Sequence, residues 1–322
     1  MAPKLAFLAR SGSKLGERVA ARISDWAARV DGANGANGGG EGGEHAECCV
    51  LPTDAPSVRV DDRAVTWNDV RLDRLDAVLV EAPLCAWPQP VADGREGESA
   101  SSLQRRGMAQ RERVALHVAA LRLLARHVRV ANDPERAAEL AMSPALALDR
   151  LATAGVPVRP WRIGATDSAH GVRIASTAER GLALAPDGMR GGGSTGLSIE
   201  LAASGVVRHL CVGGAWLAST GSVRELAPLA RPLVLAPGTP GGPRGPSSSG
   251  ASGASSASGA DRELALRALS ALGLDFGCVL VSDGAVAFIE AATDLDAWDV
   301  ASDGLVADAL AQWLSRVPQS TG

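Results

Sequence analysis

Apolar and polar positions in the first 90 residues predict an open α/β lobe. The run Leu5 to Ala9 is continuously apolar, as expected of a strand buried on both faces. The apolar positions that follow recur at three- and four-residue steps and predict an amphipathic helix: Leu15, Val19, Ile23, Trp26 and Val30. Further strands are predicted at Glu47 to Leu51 and at Asp76 to Glu81, with a small hairpin near Asp61 between them. Strands and a helix in this order indicate a Rossmann-like lobe.

The next segment is predicted to be helical. Apolar residues on one face indicate a helix from about Ala109 to His127. A capping residue followed by proline then occurs twice, with Asn132 or Asp133 before Pro134, and again at Ser143–Pro144. Because proline is favoured in the first helical turn, each pair predicts a helix start.

The remainder is predicted to be β-rich, with one helix from Asp261 to Leu272. Its strands are expected at Gly181–Ala185, Leu197–Leu201, Arg208–Val212 and Ala215–Ala218. A closing hairpin follows, in which the three-residue connection Ser282-Asp283-Gly284 links Cys278–Val281 to Ala285–Ile289. Glu290 lies at the end of the second strand. A carboxylate there can reach solvent, a metal or a ligand while the apolar strand fixes its position.

Three Gly/Ser/Pro-rich segments lack apolar periodicity and are predicted to be mobile loops. They cover residues 31–44, 92–102 and 237–260. The expected organisation is therefore an N-terminal lobe of residues 1–91 and a second region of residues 103–318, with 237–260 as a disordered insert.

Composition, charge and cysteine spacing exclude several classes of protein. The chain has 322 residues, 46% of them apolar, which is enough to form a sizeable core. Its net charge of −4 argues against a nucleic-acid binder. No apolar run is long enough to span a membrane and the N-terminus does not resemble a signal peptide, so we expect a cytoplasmic protein. The five cysteines match neither a disulfide framework nor a zinc spacing. The lysines of the chain are Lys4 and Lys14, and its other basic Lys/Arg positions are all arginine. This excludes any chemistry that needs a lysine beyond residue 14.

Four stretches resemble one superfamily and keep its order. Its first strand and helix are similar to LAFLARSGSKLGERVA, and its central helix pair is similar to VANDPERAAELAMSPALALDRLATAGVPVRP. Its strand pair with an arginine five residues before a glycine is similar to RHLCVGGAWLA, where these are Arg208 and Gly213. Its closing helix and hairpin, with a metal-binding acid, are similar to ELALRALSALGLDFGCVLVSDGAVAFIEAATD, where the acid is Glu290. The chain therefore resembles the ATP-grasp superfamily, specifically RimK-type glutamate ligases and glutathione synthetases.

This resemblance implies an α/β (α+β) fold with a Rossmann-like N-terminal lobe and a β-rich C-terminal lobe. ATP-grasp ligases phosphorylate a carboxylate with ATP and let an amine attack the acylphosphate. A functional site would therefore take ATP and Mg²⁺, with Glu290 as a metal ligand and Asp294 as a substitute for a second one.

Two other parts of the expected site have alternative interpretations. The loop of residues 188–196 either wraps a phosphate, with Arg190, Gly191 and Gly192 as its contacts, or forms a hairpin tip. Arg208 either contacts a phosphate or forms a structural ion pair with Glu290.

Several positions depart from the family's pattern. Where the family has a lysine at the start of the second central helix, this chain has Pro144, and a strand end that is Lys-Pro in the family is Ala185-Pro186 here. The first metal acid of the hairpin aligns with Leu280, and an asparagine aligns with Ala292. Residues 200–207 leave no room for the family's additional helix and its adenine-receiving strand.

Two functions follow. The one we favour is a degenerate, non-catalytic ATP-grasp protein, a pseudoenzyme with a binding or scaffolding role. The alternative is a divergent ATP-dependent carboxylate–amine ligase with an acylphosphate intermediate. In either case the expected partner is an unidentified small molecule or protein, with neither nucleic acid nor membrane as a partner.

Overall fold

The computed structural model describes residues 4–9, 13–34, 47–53, 57–61, 64–81, 100–163, 171–177, 181–186, 197–200, 205–220, 233–235, 258–290, 293 and 295–315. The strands are β1 (Lys4–Ala9), β2 (Glu47–Pro52), β3 (Val58–Asp61), β4 (Ala64–Trp67), β5 (Val70–Arg71), β6 (Ala77–Val80), β7 (Arg129–Ala131), β8 (Trp161–Ile163), β9 (Gly171–Thr177), β10 (Gly181–Pro186), β11 (Leu197–Glu200), β12 (Val207–Val212), β13 (Ala215–Thr220), β14 (Leu233–Leu235), β15 (Phe276–Ser282) and β16 (Ala285–Glu290). The helices are α1 (Lys14–Asn34), α2 (Ala100–Leu124), α3 (Pro134–Met142), α4 (Pro144–Thr153), α5 (Gly259–Leu272), α6 (Leu295–Ala301) and α7 (Leu305–Ser315), with a short 3₁₀ helix at Leu72–Arg74.

The chain divides into two compact units. The first comprises Met1–Leu84, His117–Glu135 and Asp294–Gly322, and the second comprises Cys85–Leu116 and Arg136–Thr293. None of the described helices is long and apolar enough to cross a membrane.

A parallel sheet of order β2-β1-β6-β7 forms the centre of the first unit. Both of its faces are covered, which explains why the apolar run of β1 is continuous rather than alternating. On one face α1 approaches closely, since an added Cβ at Gly16 would lie 2.9 Å from side-chain atoms of Phe7 and Val50. The other face packs on residues of α2 and of the β4 hairpin, among them the fully buried Trp67. The predicted Rossmann-like sheet is thus confirmed.

A buried carboxylate fixes the C-terminal helices within this unit. The side chain of Asp299 is fully buried, and its Oδ2 accepts a hydrogen bond from Arg18 Nε on α1 at 2.6 Å. Its Oδ1 accepts from the backbone N–H of Ala307 in the first turn of α7 at 2.7 Å. One side chain therefore joins α1, α6 and α7, and it satisfies a backbone donor that has no partner within its own helix.

The second unit contains two antiparallel sheets. One has the order β10-β9-β11-β8, and the other has the order β14-β13-β12-β15-β16. One face of the five-stranded sheet packs on α4 and α5, and its contribution to that core consists of Cys211, Val279, Val281, Val286 and Ile289. Successive side chains of a strand point to opposite faces, so the alternate positions Arg208 and Leu210 of β12 and Cys278 and Leu280 of β15 face away from α5.

The closing hairpin has a tighter turn than predicted. Ser282 pairs with Ala285 in the β15–β16 ladder, so the connection has two residues rather than three. These two, Asp283 and Gly284, have φ of 50° and 68°. Positive φ at both positions is the geometry whose twist matches that of the flanking strands, and an Asp-Gly pair favours it.

Other boundaries also differ from the predictions. The second helix begins at Ala100 rather than about Ala109, which converts the end of the predicted loop 92–102 into helix. Helix α1 extends to Asn34, into the predicted loop 31–44. Helix α5 begins at Gly259 rather than at Asp261, because Ser258 Oγ caps it by accepting from the backbone N–H of Asp261 at 3.0 Å. The rest of the three predicted loops lies outside the described residues. Six of the described strands and helices were not predicted at all: β5, β8, β9, β14, α6 and α7.

We expect Asp299→Ala to lower the free energy of unfolding by roughly 3 kcal/mol, because it leaves Arg18 Nε and the Ala307 N–H without their acceptor, while Arg18 Nη2 keeps its bond to Asp296 Oδ1 at 3.0 Å. The matched control is Asp308→Ala, whose ion pair with Arg22 joins the same helices but is about half exposed on both sides. That change should cost less than about 1 kcal/mol. Urea denaturation monitored by tryptophan fluorescence measures both values, and equal losses would contradict the proposed role of Asp299.

Candidate functional site

Three neighbouring strands of the five-stranded sheet bring Arg208 and Glu290 together. Arg208 on β12 lies opposite Leu280 on β15, and Cys278, two residues earlier on β15, lies opposite Glu290 on β16. Because side chains alternate with a period of two, all four point to the same face of the sheet. This is the face turned away from α5.

Arg208 and Glu290 form an ion pair. The Nη2 atom of Arg208 donates to Oε1 of Glu290 at 2.6 Å, and the two side chains are 16% and 19% exposed. Burial opposes the charge on Arg208, but the Glu290 carboxylate beside it holds the arginine pKa above its ordinary value. The ion pair is therefore held at short distance with little access of water.

Thr220 and Cys278 are the neighbours that connect the ion pair to the rest of the sheet. The backbone N–H of Arg208 donates to Thr220 Oγ1 on β13 at 3.2 Å. Burial, followed by the nearby negative charge of Glu290, raises the pKa of the Cys278 thiol well above its usual value. Cys278 is thus a neutral packing residue rather than a nucleophile at physiological pH.

The Arg208–Glu290 contact limits what the carboxylate can bind. Oε1 of Glu290 already accepts from the guanidinium, so a metal ion at that oxygen would compete with a charged hydrogen bond. The described residues contain no group of three or more histidine, cysteine or acidic side chains placed to hold a metal. Arg208 has one further buried donor, Nε, without a hydrogen-bond partner among the described residues.

The placement of the other predicted site residues relative to this pair stays a prediction. Arg190, Gly191, Gly192 and Asp294 lie outside the described residues. The strands on either side of the glycine-rich loop are informative, however, because β10 and β11 both pair with β9 and not with each other. The strands β10 and β11 therefore do not form a hairpin with each other, whereas residues 188–196 themselves lie outside the described residues and both interpretations of that loop stay predictions.

Sequence reasoning missed a second polar cluster on the opposite face of β12. His209 is fully buried, and the indole Nε1–H of Trp216 donates to its Nδ1 at 3.2 Å. The guanidinium of Arg262 on α5 stacks over the Trp216 ring at 4.0 Å. Burial lowers the pKa of His209 to about 4, so this imidazole is neutral at pH 7. The available signal was the position of His209 on the same strand face as the buried Cys211.

Comparisons with known proteins bear on the fold. No protein-family model and no curated protein matches the sequence. Among solved structures, the ATP-grasp ligase PsnB complexed with minimal precursor has a TM-score of 0.63 at 12% identity, covering 96% of this chain and 97% of that chain. The macrocyclase MdnB from Microcystis aeruginosa MRC has a TM-score of 0.58 at 13% identity, covering 97% and 99%. This chain has the ATP-grasp fold.

The predicted ATP-grasp resemblance and fold class are thus confirmed. A second PsnB structure, with precursor peptide PsnA2 and AMPPNP, has a TM-score of 0.61 at 13% identity and covers 96% of this chain and 97% of that chain. Identities this low establish an ATP-grasp fold and no finer specificity. The RimK-type assignment and the roles of Arg208 and Glu290 stay predictions.

We expect Arg208→Gln and Glu290→Gln each to lower the free energy of unfolding by roughly 3 kcal/mol, since each leaves the other charge buried without its partner. The double variant should lose much less than the sum, because it leaves no unpaired charge in the ATP-grasp sheet. Urea denaturation of the four proteins gives the coupling energy. Additive losses would show that the two side chains do not depend on each other.

Proposed function

We propose that this chain is an ATP-grasp protein that has lost phosphoryl transfer and acts by binding a partner. The observation that carries the proposal is the 2.6 Å ion pair between Arg208 and Glu290. In this interpretation the guanidinium, rather than a magnesium ion, balances the charge of the carboxylate.

The residues around Glu290 support this proposal on chemical grounds. Magnesium prefers several oxygen ligands in octahedral geometry. Leu280, which aligns with the family's first metal acid, is an apolar side chain and fully buried beside the pair. Among the described residues Glu290 is not part of a group of three or more metal-ligating side chains, and a carboxylate that already has a cationic partner provides too little negative charge by itself to hold a divalent ion with a triphosphate.

The chain also lacks a positively charged side chain at a position where the resemblance implies one for the triphosphate. Pro144 occupies the first position of α4, where the resemblance implies a lysine for the triphosphate. Arginine does not simply replace lysine, because a planar fork of donors differs from a compact ammonium in reach and geometry. Between β11 and β12, residues 201–206 provide too few positions for the adenine-receiving strand and its helix.

The alternative function is an ATP-dependent carboxylate–amine ligase, and one observation favours it. Arg208 and Glu290 lie on one face of an ATP-grasp sheet, and a PsnB structure of the same fold is described as a complex with minimal precursor, Mg and ADP. In a working ligase the ion pair would open when ATP and Mg²⁺ bind. Arg208 and Arg190 would then contact phosphates, with backbone amides of Gly191 and Gly192, and Glu290 and Asp294 would hold the metal.

For the partner, we favour a peptide over a free small molecule. PsnB is described with precursor peptide PsnA2, and MdnC, with a TM-score of 0.57, is described with precursor peptide MdnA. A protein that keeps this fold without phosphoryl transfer can retain a peptide-binding surface. This part of the proposal rests on likeness of fold alone.

The decisive experiment measures nucleotide binding as well as ADP release. Both are needed because ligase turnover requires an acceptor substrate, so a ligase without that substrate could bind ATP and release no ADP. Melting temperature is recorded with ATP, with and without Mg²⁺, since a bound ligand stabilises the folded state by mass action. We expect no magnesium-dependent shift and no magnesium-dependent ADP release above the level of Glu290→Gln.

The matched control for this experiment is Asp283→Asn, in the same hairpin. The Asp283 side chain is 75% exposed, and asparagine tolerates the positive φ of this turn position. A magnesium-dependent ATP response that is present in wild type and Asp283→Asn but absent from Glu290→Gln would replace the pseudoenzyme proposal with the ligase.

A further inference from the structure

Buried polar groups without partners are concentrated on the α5 side of β12. Four such side-chain atoms occur among the described residues, and three of them are His209 Nε2, Ser219 Oγ and Arg262 Nε. His209 and Ser219 lie opposite each other on β12 and β13 and are fully buried, while Arg262 belongs to the helix that covers them. A buried donor without a partner is costly, so this part of the core is less stable than its apolar surroundings.

The geometry around His209 requires a neutral imidazole. Its Nδ1 accepts from the Trp216 indole N–H, so the ring proton lies on Nε2. A second proton on the ring would bring two N–H groups face to face and add a charge to a site without water access. Within the described part of the chain, the charged groups that act on it are both on α5: Asp261 favours protonation and Arg262 disfavours it, whereas β15 presents Val279.

We propose that protonation of His209 opens the region formed by β12, β13 and α5, so that acidification loosens the strand that carries Arg208. Arg208 and His209 are consecutive residues on opposite faces of β12. The Arg208 N–H also donates to Thr220 of β13, so separation of these strands breaks a contact of the candidate site. This inference does not depend on whether the protein is a ligase or a pseudoenzyme.

The direction of the effect follows from linkage. The folded protein holds His209 at a pKa of about 4, below its ordinary value of 6.5, so the opened state binds the proton more readily. The stabilisation is fully present above pH 6.5 and is lost as pH falls towards 4. For these two values, the opening equilibrium at pH 5.0 exceeds that at pH 7.5 by about 30-fold.

Hydrogen exchange of the full chain measures this opening. Exchange of the peptides that span β12 and β13, including the Arg208 amide, is compared at pH 7.5 and pH 5.0 after correction for intrinsic exchange. Wild type should show an increase of about 30-fold in opening at pH 5.0. His209→Asn keeps an acceptor near the Nδ1 position and cannot titrate, so its opening should be nearly independent of pH. The control His127→Asn changes an exposed histidine and should behave as wild type.

Equal pH dependence in wild type and His209→Asn would overturn the proposal, as would a wild-type opening that does not change with pH. If His209→Asn does not fold, the imidazole resonances of wild type provide the test. A His209 ring that stays neutral until about pH 4 supports the proposal. A ring that titrates at the ordinary histidine value within the folded protein overturns it.

Discussion

The ion pair between Arg208 and Glu290 is the interaction on which the candidate site depends. Both charges are largely removed from water, so neither is tolerated without the other, and together they fix the register of β12, β15 and β16 on one face of the sheet. The same contact decides the chemistry. A carboxylate that already has a cation is a poor magnesium ligand, and an arginine committed to a carboxylate has fewer donors for phosphate.

Strand β12 connects this site to the core of the second unit. Its side chains alternate between the ion pair and the surface covered by α5, so Arg208 and His209 experience opposite environments one residue apart. On one face a charge is kept because it has a partner. On the other face a titratable ring is kept neutral because burial leaves no solvent for its charged form.

Local patterns predicted the elements whose structure depends on neighbouring residues. The continuous apolar run of β1, the three- and four-residue periodicity of α1, and the apolar hairpin that ends at Glu290 were all recognised in the sequence. The helices α6 and α7 were missed. The four-residue spacing of Val306, Leu310 and Leu314 was a local signal for α7 that was overlooked. The attachment of both helices to α1 depends on Asp299, whose partner Arg18 is distant in sequence, and no local pattern identifies such a pair.

The sequence by itself located most of the strands and helices, and its ordered resemblance to ATP-grasp proteins identified the fold. Tertiary structure decided which polar side chains meet. Arg208 and Glu290 are neighbours because β15 lies between their strands, and β9 separates the strands that flank the glycine-rich loop. The physical reason is that helix and strand propensities act over a few residues, whereas strand order, burial and the pairing of charges depend on how distant segments pack.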